Sequence, residues 1–99
     1  MIARCWRGRT SEDNASRYYE LFTSTVLPAL QAIPGFLSAR VLRRPHPLGI
    51  EFLVMTEWAS WEAIRTFAGS SPDEAVVEPA AHALLADYDK HVEHFEVVG

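Results

Sequence analysis

At 99 residues the chain has room for one domain and one hydrophobic core, and a domain this small is marginally stable if it stays alone. A net charge of −4 argues against a general nucleic-acid binder, and the single cysteine, Cys5, excludes an internal disulfide or a cysteine-rich zinc site. No apolar run approaches the length of a membrane span, and Met1–Trp6 lacks the apolar stretch of a signal peptide, so a cytoplasmic protein without membrane partners is expected.

Ile2–Arg9 reads as a short strand with β-compatible Ile2, Cys5 and Trp6, closed by Gly8-Arg9-Thr10. Ser11 then offers a capping hydroxyl, with Glu12 and Asp13 in the first turn complementing the helix dipole. Tyr18, Leu21, Phe22, Thr25, Val26, Ala29, Leu30 and Ile33 recur at helical spacing and predict the longest helix. Pro28 removes a backbone donor inside it, so a kink or break is expected there, and Pro34-Gly35 ends it. Phe36–Arg44 is the second strand, Pro45–Gly49 a turn, and Ile50–Trp58 the third strand and the clearest. Leu53 and Met55 on the second face of that strand point to a sheet covered on both sides.

Ser60 caps a helix over Trp61–Ala68 that stops at Gly69. Ser71-Pro72-Asp73-Glu74 has the pattern of another helix start, and Pro79 is expected to open a helical turn through His82, Leu85 and Tyr88. Val92–Val98 alternates and is the fourth strand. The order is β-α-β-β-α-β, an α+β ferredoxin-like domain with a four-stranded antiparallel sheet and helices on one face. The other face is too apolar for water, and a second copy should cover it. Charge is unevenly spread: Met1–Arg44 holds seven basic and three acidic residues, Pro45–Gly99 two basic and ten acidic. Early Arg-bearing strands are therefore expected beside later acidic ones.

With these elements in place, the chain resembles the antibiotic biosynthesis monooxygenase-type family of the dimeric α/β-barrel superfamily. The resemblance rests on Val26-Leu27-Pro28-Ala29-Leu30, Ile33-Pro34-Gly35-Phe36 and Glu57-Trp58-Ala59-Ser60-Trp61, supported by Phe67-Ala68-Gly69, Ala75-Val76-Val77 and His94-Phe95-Glu96-Val97. It implies a homodimer with a ligand pocket in each protomer between sheet and helices. It also implies a cofactor-independent monooxygenase acting with dioxygen on a small phenolic, anthrone or quinol-type aromatic compound, with no metal and no cofactor. Two alternatives stay open: a non-catalytic ligand-binding or stress-related dimer, and a haem-binding or haem-degrading protein. Haem-degrading members use a His on the second helical region, which His82 matches, and an Asn on the first strand, where this chain has Trp6 and Arg7; its only Asn is Asn14.

The candidate site follows from these elements. Trp58, Phe67, Tyr18 and Phe22 are candidate pocket walls, although helical spacing and strand position suit core packing equally well. His94 and His82 are candidate general bases near neutral pH. Among Arg4, Arg7, Arg40 and Arg43, Arg40 is preferred for holding an enolate or carboxylate. His91 and His94 are three apart, which on a strand sets them on opposite faces and argues against a metal site.

Overall fold

The computed structural model describes residues 1–99. Its elements are β1 (Ile2–Thr10), α1 (Glu12–Leu21), a π-helical turn (Phe22–Val26), α2 (Leu27–Gln31), β2 (Phe36–His46), β3 (Gly49–Trp58), α3 (Trp61–Ala68), a 3-10 turn (Pro79–Ala83), β4 (Leu85–Tyr88) and β5 (Glu93–Glu96). The antiparallel sheet runs β2-β3-β1-β4, with β5 also paired to β1. The expected fourth strand over Val92–Val98 is β5, and an additional short strand, β4, shares the same edge of β1.

The helical rod from α1 to α2 is widened rather than broken at Pro28. The Leu27 amide reaches back to the Phe22 carbonyl, the longer span of a π turn. Pro28 cannot donate to the preceding turn, and the Thr23 and Ser24 hydroxyls turn back onto the Tyr19 and Glu20 carbonyls. Gly35, at a φ of +94°, makes the turn into β2, where a Cβ would meet the Ala63 methyl.

Register assigns the faces. Ile2, Arg4, Trp6 and Gly8 oppose Trp58, Thr56, Val54 and Phe52 under the helices. Ala3, Cys5, Arg7 and Arg9 oppose Glu57, Met55, Leu53 and Glu51 on the other face, which no helix covers. Two core clusters lie on the helix side: Phe22, Leu30, Val54, Trp58, Ala63 and Ile64 in one, and Ala15, Tyr18, Ile50, Phe52 and Ala81 in the other. Trp6 and Val41 pack against both.

The charge asymmetry resolves as expected into cross-strand pairs. Arg9 meets Glu51 at 3.1 Å, Asp87 at 3.0 Å and Asp89 at 2.7 Å, Arg44 meets Glu51 at 2.6 Å, and Arg7 meets Glu93 at 2.9 Å. Burial pushes the Glu51 carboxyl up, but hydrogen bonds from Arg9 and Arg44 outweigh it and hold the group below its ordinary value.

Between Ser70 and Tyr88 the chain departs from the expected helices. Ser71–Glu74 forms a turn in which the Glu74 amide bonds the Ser71 carbonyl at 3.1 Å, and no helix follows. The Pro72 and Glu74 carbonyls, which a helix would use on its own amides, are taken by the Arg4 guanidinium. The helical turn after Pro79 lasts only to Ala83, because Leu85 and Tyr88 pair with Thr10 and Gly8 along the open edge of β1.

Candidate functional site

A cavity of about 70 Å³ lies between the sheet and the helical rod. Trp6, Val54 and Thr56 form its floor, Tyr18, Phe22, Val26 and Leu30 its helical wall, and Phe67 of α3 and Val76 close it. The π turn carries Phe22 and Val26 into this wall, a placement in keeping with π turns recurring at functional sites. Gly8 leaves room for the Trp6 indole to lie along β1, and the Trp6 Nε1–H donates to the Asp89 carbonyl at 2.9 Å.

The one cation in this lining is Arg4, only 4% exposed. Its guanidinium stands over the Phe67 ring, 5.6 Å from the centroid. Nη2 donates to the Glu74 carbonyl at 2.9 Å, and Nη1 donates to the Pro72 carbonyl. Nη1 also lies 3.1 Å from His94 Nε2. Burial lowers the Arg4 pKa and Asp73 raises it, leaving it below its ordinary value. That value is far above neutral, so the group stays a cation.

His94 stands on the helix face of the sheet behind Arg4, opposite it in register, and its ring packs on Trp61 with centroids 4.7 Å apart. Its Nδ1 is 3.3 Å from Asp73 Oδ1. A neutral imidazole protonated at Nδ1 satisfies both neighbours, donating to Asp73 and accepting from Arg4. Burial, then the Arg4 charge, lower its pKa, and Asp73 opposes them without cancelling them.

This shift predicts a pH effect. The unfolded chain binds a proton at His94 near its ordinary value of about 6.5 while the folded chain resists it, so stability rises with pH in the window below that value. The contribution is complete above about pH 6.5 and is lost as pH falls toward the folded pKa. Thermal melts from pH 7 down to pH 5 are expected to fall more steeply for the wild type than for His94→Gln; equal slopes would show that His94 does not titrate in this window.

Of the residues singled out in the sequence, Tyr18, Phe22 and Phe67 line the cavity. Burial raises the Tyr18 hydroxyl pKa well above its ordinary value, so that hydroxyl stays protonated. Trp58 does not line it. Wholly buried, Trp58 stacks on Phe67 at 5.7 Å, meets Phe36 edge-on at 5.3 Å, and donates Nε1–H to Thr56 Oγ1 at 2.9 Å. Arg40 pairs with Met55 on the uncovered face and is exposed, so the guanidinium in the cavity is Arg4. His82 is exposed and lies in an outer cleft of about 450 Å³ with Glu74, Tyr88, Lys90 and His91. In the sequence Arg4 stands as one of four candidate arginines behind Arg40, and Trp6 is not placed in the pocket. The available signal was parity, since Ile2, Arg4 and Trp6 share one strand face.

The strand order, the helix-covered face and the cavity beneath it define a ferredoxin-like α+β domain with a small aromatic-lined cavity between sheet and helices. The chain belongs to the antibiotic biosynthesis monooxygenase family, whose model matches residues 1–84. No curated protein matches the sequence. Among solved structures, it is similar to a monooxygenase, ActVA-Orf6 of Streptomyces coelicolor, in complex with nanaomycin D. The TM-score is 0.71 at 22% identity, covering 99% of this chain and 88% of that one. It is also similar to the heme-degrader MhuD of Mycobacterium tuberculosis with two hemes bound, with a TM-score of 0.67 at 20% identity, covering 99% of this chain and 96% of that one. At these identities the likeness establishes the fold.

Proposed function

We propose that the protein is a cofactor-independent monooxygenase that acts with dioxygen on a small phenolic, anthrone or quinol-type compound. The observation carrying this reading is the buried Arg4 guanidinium set among Trp6, Tyr18, Phe22 and Phe67. Aromatic walls suit a flat ring, and a lone cation in a dry site favours the ionised form of that ring's oxygen. The likeness to a monooxygenase solved with nanaomycin D supports a small-molecule ligand.

In this reading Arg4 holds the phenolate or enolate oxygen, and His94 fixes Arg4 through Nε2 and does not itself take the substrate proton. The substrate binds as its anion, its proton left to solvent. The anion gives one electron to dioxygen, the resulting radical and superoxide join at the ring carbon, and solvent returns the proton to the peroxide. The peroxide, once protonated, loses water to leave a carbonyl. Overall a CH2 group and one O2 become C=O and H2O. The protein supplies orientation, a fixed positive charge and exclusion of bulk water. Oxygen uptake with dithranol, an anthrone, is expected to be saturable, to exceed the protein-free rate and to survive a chelator; a rate equal to the protein-free control would reject the reading.

The working unit proposed is a homodimer joined through the uncovered sheet face, where Leu42, Leu53 and Met55 lie among charged neighbours. Leu53→Glu is expected to halve the mass measured by light scattering, and an unchanged mass would place any dimer contact elsewhere.

A haem reading draws on His82 in the outer cleft beside Tyr88, whose ring centroid is 5.6 Å away. A saturable Soret band with haemin that His82→Ala abolishes would favour it. Thermal stabilisation by phenols without oxygen uptake would mark a non-catalytic binding protein.

A further inference from the structure

The segment Ser71–Glu78 contributes to both the inner cavity and the outer cleft. Val76 lines the cavity, while Ala75 and Val77 line the cleft. This segment belongs to no helix or named strand. Two amide bonds tie it to the β4–β5 connection: Ala75 N–H to the Lys90 carbonyl and Val92 N–H to the Asp73 carbonyl, both 2.8 Å. Its polar side-chain anchors converge on one group, because Arg4 takes the Pro72 and Glu74 carbonyls and His94, which props Arg4, meets Asp73, while Val77 packs on the second core cluster.

Two observations make this arrangement more than a static wall. The cavity, at about 70 Å³, is far below the roughly 300–1,000 Å³ of sites that enclose small molecules, yet the cleft across the segment offers about 450 Å³. Moreover, three of the five guanidinium donors are already committed, two on Nη1 and one on Nη2. A ligand anion gripping both Nη atoms needs a donor on Nη1, whose two hydrogens go to the Pro72 carbonyl and His94, so it must displace one of these two anchors.

We propose that Ser71–Glu78 is a strap latched by Arg4, and that the strap and a ligand anion compete for the same guanidinium. Anion binding displaces the Pro72 carbonyl or His94 from Nη1, the strap swings outward, and cavity and cleft join into one site. The ligand half of this statement rests on the aromatic-anion reading above. The latch itself is a property of the free protein.

Hydrogen exchange at the Ala75 and Val92 amides reads the latch. In Arg4→Lys, which keeps the charge but loses the fork, both amides are expected to exchange on the order of tenfold faster, the scale of a lost charged hydrogen bond, with β3 amides unchanged. Should Arg4→Lys accelerate β3 as well, it has destabilised the whole fold, and Asp73→Asn, altered at an exposed carboxylate, decides instead by a smaller acceleration confined to the same two amides. In the wild type, saturating 1-hydroxy-2-naphthoate is expected to accelerate those amides too. Unchanged exchange in a folded Arg4→Lys, in Asp73→Asn where that variant decides, or in naphthoate-bound wild type overturns the latch. Absence of any naphthoate-induced change in tryptophan fluorescence overturns the ligand class and the competition with it, while the variants still judge the latch.

Discussion

Arg4→Met is expected to lower kcat/KM for an anthrone by roughly 10²–10³-fold, the cost of removing a group aimed at a developing oxyanion. Methionine keeps an unbranched apolar stem against Phe67 but offers no charge and no donor. The loss should fall mainly on kcat, because the charge matters most once the ring oxygen is ionised. Stability falls as well, since the Pro72 and Glu74 carbonyls lose a charged donor, a bond worth up to about 1.5–3 kcal/mol where water does not replace it. Rates must therefore be referred to the folded fraction measured by near-ultraviolet dichroism. Arg4→Lys should recover part of the activity, as a point charge without the planar fork. A folded Arg4→Met enzyme within twofold of the wild type would remove Arg4 from the chemistry.

The largest effect on stability is expected at Trp58, and it separates core from site. Truncating this wholly buried indole to alanine should cost about 3–5 kcal/mol, against a total of roughly 5–15 kcal/mol for a domain. It empties the space between Phe36 and Phe67 and leaves the Thr56 hydroxyl without the indole donor. Trp58→Phe retains ring packing and should lose much less, with a turnover per folded molecule close to that of the wild type. Urea unfolding of both variants, read with their activity, checks this. A Trp58→Ala protein that stays stable but no longer binds ligand would make Trp58 a wall of the site.

What the sequence disclosed was what local chemistry decides. Pro34-Gly35 needs a positive φ that only glycine meets cheaply, Ser60 accepts the Ala63 amide as a cap, and alternation over Ile50–Trp58 fixes which side chains enter the core. Tyr18, Phe22 and Phe67 were readable because helical spacing turns them toward the sheet. Arg4 was not, because choosing it over Arg40 requires knowing that Arg4 opposes Thr56 on the helix side while Arg40 opposes Met55 on the other. Ser71–Glu74 misled for a related reason. Its capping pattern is sound locally, but a guanidinium nearly seventy residues earlier takes the carbonyls a helix would need. Leu85–Tyr88 became a strand because the edge of β1 offers ladder partners that no local pattern announces.

The most direct test of the central claim is product analysis after turnover of dithranol under heavy-isotope dioxygen. The account predicts a quinone formed faster than in the protein-free control, carrying one labelled oxygen atom, with the second recovered in water and the excess rate lost in Arg4→Met. Quinone appearing at the protein-free rate, or with the same excess in Arg4→Met, would contradict it.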